Sequence, residues 1–220
     1  MELANDPLFQ WMAQFAYQPD LIYLAVICMM LASGFGLPIP EEVTILSVGL
    51  LAYMGQHPDQ YPPPYPGAPV LKVHTAMLVT FLAVYATDFL VYSIGRIGGR
   101  RLMKAGIFKR MFPEGLVIRL EDWVHRYGAW ACGIFRFTPG IRFPGHLFCG
   151  MFRFSIWKFA AIDGMAALIS VPTQIYLVAV YGESILKVMK QFKLVLFAVI
   201  LTAVAFLLIR HWIRRSRPAQ

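Results

Sequence analysis

Arg136 and Arg142 stand in the stretch RFTPGIRFPG at 136–145, with apolar AWACGIF before it and HLFCGMF after it. A guanidinium is planar, stays charged and grips phosphate oxygens through two parallel bonds. Pro139 and Gly140 lie between the arginines, and Pro144 and Gly145 follow, so the chain can fold back and bring both guanidinium groups to one hairpin tip. The chemistry to expect there is a phosphate clamp. A second broken stretch, LPIPEE at 37–42, sets Pro38 and Pro40 ahead of Glu41 and Glu42. Adjacent helical residues point about 100° apart, so one of these acids is expected to face a cavity, and which one stays open. Asp88 lies in a third apolar stretch, and Asp163 in a fourth. A carboxylate at that depth can exchange a proton near neutral pH, because burial and a nearby arginine act on it in opposite senses. Glu41, Glu42 and Asp88 are therefore the candidate proton-coupling residues.

A charge at the centre of a membrane helix costs at least about 2.5 kcal/mol, so such groups face a partner or a water-filled cavity. Glu42 and Arg142 merely neutralising each other is the bland alternative, but a pair alone would not require broken helices on both sides. His146 is a possible proton relay, although a single histidine beside an aromatic run is more often a hydrogen-bonded structural residue. Ser33, Ser47 and Thr138 carry no nucleophile motif, which argues against an enzyme. GRIGGR at 95–100 does not follow a strand and reads as a helix end, not a dinucleotide fingerprint. Cys28, Cys132 and Cys149 have neither C-x-x-C nor Cys/His spacing, so they are expected to be small core residues, with no metal and no cofactor.

The elements that must position these residues belong in a bilayer. The chain has 220 residues, 58% hydrophobic and only 15% charged, against roughly a quarter charged in soluble proteins. Its net charge of +8 comes from basic residues flanking apolar segments, which the positive-inside rule and anionic lipid explain better than nucleic acid does. The first twenty residues contain no Lys or Arg, so they lack the positive region of a cleavable signal peptide.

Four spans are expected: the run from Asp20 to Gly36, Val70 to Ile94, Phe154 to Tyr181 interrupted by Pro172, and Leu194 to Ile209. The Pro-rich segment 56–69, with six prolines, is an exposed loop. The basic stretch from Arg96 to Arg126 and the tail after Arg210 place their side in the cytoplasm, although Lys187, Lys190 and Lys193 fall in the opposite connection. Within the basic stretch Leu116, Leu120, Trp123 and Tyr127 recur at helical spacing. They predict an amphipathic helix lying either on the membrane or on the protein itself. The resulting organisation is an interfacial segment at 1–19, a membrane domain at 20–182, a C-terminal transmembrane helix at 183–213 and a basic tail at 214–220, with both termini cytoplasmic. It is an all-α membrane fold with two re-entrant hairpins entering from opposite faces, the pattern of inverted-repeat transporters.

At these residues the chain resembles the DedA family, whose shared region is also called the VTT or SNARE-associated domain. The matching stretches are GFGLPIPEEVTILSVGLLA at 34–52, TDFLVYSIGR at 87–96 and FRFTPGIRFPGHLFCGM at 135–151, with Phe159 after them. The resemblance implies two re-entrant helices facing each other across the bilayer and a role in moving lipids between leaflets. For bacterial members it implies undecaprenyl phosphate as substrate, returned across the inner membrane in a step linked to the proton gradient; related eukaryotic members resemble phospholipid scramblases. By the same resemblance the family's essential acid falls on Glu42, its membrane aspartate on Asp88 and its two arginines on Arg136 and Arg142. Two positions depart from the pattern: Ser33 where many members have a glutamate, and Thr87 where they have a glycine. The expectation is a flippase for a phosphate-bearing lipid. An energy-independent scramblase, an intramembrane lipid-modifying enzyme and a membrane scaffold are the alternatives. Its partners would be membrane lipids and protons, with a homo-oligomer possible and no nucleic acid.

Overall fold

The computed structural model describes residues 7–35, 37, 41–104, 114–137, 142–182 and 184. Among them there are helices and turns and no strand. The expected hairpin prolines Pro38 and Pro40, the turn residues Thr138, Pro139 and Gly140, and the expected C-terminal span and tail lie outside the described residues.

The chain begins with α1 (Pro7–Ala13) and a 3-10 turn at Gln14–Tyr17, then enters α2 (Pro19–Gly34). Pro19 sits in the first turn of α2, where a missing N–H costs nothing, and the two helical pieces meet at 103°. Helix α3 (Glu41–Gln56) has 16 residues, as does α2. At about 1.5 Å per residue each is shorter than a hydrocarbon core of roughly 30 Å. Helix α4 (Val73–Lys104) is long enough to cross as far as Gly99, whose φ of +46° breaks the helix. After α5 (Glu114–Tyr127), the left-handed Gly128 (φ +55°) turns the chain into α6 (Ala131–Phe137). Helix α7 (Arg142–Met151) follows, then α8 (Ile156–Gly182).

Among the described residues two helices, Val73–Gly99 and Ile156–Gly182, are long and apolar enough to span, and a third span exists if the bent α1–α2 pair is one. That corrects the expected interruption at Pro172: α8 runs through it unbroken. A proline inside a membrane helix is tolerated because neighbouring groups can take up the freed carbonyl. Leu24, Ile27 and Leu31 of α2, Leu78 and Leu82 of α4, and Leu168, Ile169 and Leu177 of α8 are exposed, a surface suited to acyl chains.

Inside, the apolar residues form two clusters stacked along α4 and α8. The first gathers Val26 and Met30 of α2, Val48 to Met54 of α3, Val84 of α4 and Val171 and Ile175 of α8. The second gathers Val91 and Tyr92 of α4, Leu120 and Val124 of α5, Cys132 and Phe135 of α6, Phe148 of α7 and Phe159 of α8. Asp88 therefore falls on α4 between Val84 and Val91, and Asp163 on α8 between Phe159 and Val171, at the seam of the two clusters. Both acids are buried.

Close backbone approaches hold this seam. A Cβ on Gly95 would collide with the Leu147 carbonyl, and one on Gly150 with the Tyr92 carbonyl, so α4 and α7 cross in direct backbone contact. Gly49 of α3 similarly faces α8, where an added Cβ would lie 3.0 Å from the Ile175 oxygen. At the far end of α4, Arg96 Nη1 donates to the Tyr92 hydroxyl at 2.7 Å and to the Phe154 carbonyl at 2.8 Å. Tyr92 also donates to that carbonyl, which ties α4 to the start of α8.

The amphipathic α5 packs on the protein itself: Leu120 and Val124 are buried, and Trp123 stacks on Phe135 at 5.8 Å. Its apolar stripe finds a protein partner, while Ile118 and Tyr127 stay exposed. The Pro-rich segment has no regular structure, as expected, yet it is pinned. The Tyr17 hydroxyl donates to the Tyr61 carbonyl at 2.5 Å, and the Leu71 N–H donates to the Ala16 carbonyl at 2.9 Å. Of the cysteines, Cys132 and Cys149 are core residues whose sulfurs meet at 2.9 Å, whereas Cys28 is exposed, against the expectation.

Candidate functional site

Helical spacing explains how the polar residues converge. Arg142 and His146 are one turn apart on α7, so their side chains leave the same face, the one laid against α4. On α8, Asp163 follows the buried Phe159 by one turn, and Ser170 lies two turns further along the same stripe. Arg136 comes from the last turn of α6, beside buried Phe135.

Asp88 is the hub. Its Oδ2 accepts from Arg136 Nη1 at 2.7 Å and from Arg142 Nη2 at 2.7 Å, and its Oδ1 accepts from Arg142 Nε at 3.2 Å. His146 Nδ1 lies 3.1 Å from the same Oδ1, and since a carboxylate only accepts, that nitrogen carries the hydrogen. Arg136 reaches further, from Nη1 to Asp163 Oδ1 at 3.1 Å and from Nε to the Ser170 hydroxyl at 3.2 Å. Arg142 Nη1 pairs with Glu41 Oε2. The Ser33 hydroxyl donates to the other oxygen of Glu41 at 2.9 Å. His146 Nε2 faces Asp163 Oδ1 at 3.4 Å.

Five helices, α3, α4, α6, α7 and α8, thus each contribute a charged side chain to one buried network, with Ser33 of α2 beneath Glu41. Charges taken this far from water persist only when paired and hydrogen-bonded, and every guanidinium here has at least two partners. Chemically, two fork-shaped donors share one carboxylate oxygen, an arrangement able to receive an anion. Asp88, His146 and Asp163 present ligand atoms within 4.8 Å of one another, a spacing that could hold a cation. The two guanidiniums bonded to Asp88 make that position repulsive to a dication.

Of the residues singled out from sequence, Arg136, Arg142, Asp88 and Glu41 come together. Glu42 does not: it is exposed. Pro144 and Gly145 lie within α7 and are buried, where an added Cβ on Gly145 would strike the Phe135 ring, so α6 and α7 touch there. His146 is buried and hydrogen-bonded to Asp88, which agrees with the reading of it as a hydrogen-bonded structural residue, and Asp163 and Ser170 join the network. Their signal was present as turn-spaced polar residues on apolar helices. It could not be used while the starts of α7 and α8 were unknown. Ser33, one of the departures from the family pattern, holds Glu41. Thr87, the other, packs its methyl into the space that Gly34 leaves open.

The VTT-domain family model matches residues 39–182. An uncharacterized membrane protein of Haemophilus influenzae is 33% identical over 156 residues, covering 70% of this chain and 68% of the relative. The uncharacterized membrane protein YbfM of Bacillus subtilis is 27% identical, over 68% of this chain and 84% of the relative. An inner membrane protein of Borreliella burgdorferi is 23% identical over 92% of this chain and 88% of its own length. No solved structure matches. The matched region contains Arg136, Arg142, Asp88 and Glu41 as well as the helices that carry them, and the chain belongs to the VTT-domain, or DedA, family of membrane proteins.

Proposed function

We propose that the protein carries a phosphate-bearing lipid, undecaprenyl phosphate in the first instance, between the leaflets of a bacterial inner membrane, with proton coupling. One observation supports this most directly: Arg136 and Arg142 each place an N–H 2.7 Å from the same oxygen of Asp88. Two forked cations converging on one anionic oxygen is a geometry suited to a phosphate, with the Asp88 carboxylate in the place a headgroup oxygen would take. A headgroup would enter by exchanging with Asp88 and Glu41 and leave by the reverse exchange, so the arginines never face lipid unpaired. The inner-membrane location draws on the name of the Borreliella relative.

On the same reading the protein is a carrier and not an enzyme. The full chain in phosphatidylcholine vesicles, loaded with a fluorescent polyprenyl phosphate and separately with its neutral alcohol, tests the proposal. Movement of the phosphate that falls at least about tenfold in Arg142→Ala is expected. Equal movement of both probes, unaffected by Arg142→Ala, would overturn it. A scramblase would give phosphate movement indifferent to an imposed pH gradient, whereas the carrier responds to one.

A further inference from the structure

Among the described residues three carboxylates (Glu41, Asp88 and Asp163) meet two guanidiniums (Arg136 and Arg142) in this network, one negative charge more than the guanidiniums offset, and Asp88, Asp163, Arg136 and His146 are buried. Hydrogen bonding shows where the compensating proton belongs. Glu41 has both oxygens engaged, by Arg142 and by Ser33. Asp88 accepts four hydrogen bonds, which suits only the ionised form. Asp163 is different: Oδ1 accepts from Arg136, while Oδ2 is buried with no hydrogen-bond partner, and the same is true of His146 Nε2.

His146 Nδ1 already gives its hydrogen to Asp88, so a neutral ring would aim the lone pair of Nε2 at Asp163 Oδ1, 3.4 Å away. Two acceptors facing each other at a site that is 1% and 0% exposed repel unless a proton lies between them. Phe159 closes the remaining side of the imidazole, edge to face at 5.4 Å. The other titratable groups nearby are occupied: Cys149 of α7 pairs with Cys132 of α6, and Tyr92 of α4 donates to the Phe154 carbonyl.

Resting on the reading of Arg136 and Arg142 as the phosphate site, we propose that His146 and Asp163 share one exchangeable proton, and that this pair is where a proton is bound together with the anionic headgroup. When a phosphate draws the guanidiniums away from Asp88 and Glu41, the proton removes one of the charges that would repel it. No heavy-atom bond changes: the pair holds its proton more tightly while the headgroup is bound and releases it more readily once the headgroup has left. Proton and headgroup raise each other's affinity by the same factor.

Infrared difference titration of the full chain in phosphatidylcholine vesicles tests this, with and without phosphatidylglycerol, whose phosphodiester does not titrate in the range used. A step in which one imidazole band and one carboxyl band change together is expected, distinct from the titration of the chain's other four histidines. Phosphatidylglycerol should move that step upward by about one pH unit, a tenfold coupling. Asp163→Asn and His146→Gln should each abolish it; should Asp163→Asn fail to fold, His146→Gln alone decides. A step that survives in the folded variants overturns the shared proton, whatever the lipid does. A step lost in the variants but unmoved by phosphatidylglycerol sinks the phosphate coupling and leaves the proton site standing.

Discussion

Arg142 holds Asp88 side-on, Nε to Oδ1 at 3.2 Å and Nη2 to Oδ2 at 2.7 Å, while its remaining nitrogen turns to Glu41. Both planes are satisfied at once, so one side chain of α7 fixes the distance between α3 and α4. An ammonium could keep the charge but not the fork. Arg142→Lys is therefore expected to lower phosphate-lipid movement about tenfold while leaving protein yield near wild type, as measured by vesicle transport at matched incorporation.

Removing the hub is a different perturbation. Asp88→Ala leaves two guanidiniums short of a partner in a buried place, and breaking such a pair costs about 3–5 kcal/mol. A lowered unfolding midpoint in detergent is expected. In a cycle with Arg142→Gln the losses should be non-additive by about 1 kcal/mol or more, because the second change removes a charge the first has stranded. Strict additivity would mean that the two side chains do not act together.

Glu41 and Glu42 are neighbours with different surroundings, one paired with Arg142 and Ser33, the other exposed. Glu41→Gln should reduce transport about tenfold or more and Glu42→Gln less than about twofold, on the reasoning that a charge-assisted bond to a partly buried guanidinium is lost only in the first. The reverse order in the vesicle assay would return the role to Glu42, as the family resemblance implies.

The α4–α7 crossing depends on two glycines. Gly150→Val and Gly95→Ala force side-chain atoms against the Tyr92 and Leu147 carbonyls. Each is expected to cost about 1–3 kcal/mol, as overpacking does, and to reduce transport by shifting Arg142 and His146 off Asp88. Gly115→Ala, with nothing within 4 Å, is the control and should leave the melting midpoint unchanged.

Much of this protein was legible in its sequence, because the relevant signals are local. Long apolar runs with few charges mark α4 and α8, and a charge inside such a run marks a site by its energetic cost alone. Arg136, Arg142 and Asp88 are recognisable on that ground before any partner is known. The partners themselves depend on the rotation of each helix about its axis and on which backbones approach, and neither is set locally. The contact of Gly95 and Gly150 with the opposing helix turns Arg142 and His146 toward Asp88. The packing of α3 on α8 through Gly49 accompanies the choice of Glu41 over Glu42. The seam between two apolar clusters brings Asp163 onto His146. Residue types and spacing by themselves determined that charge would be buried in this membrane protein; tertiary packing decided which charges meet, because pairing energy falls off over a few ångströms and only the assembled helices fix distances that short.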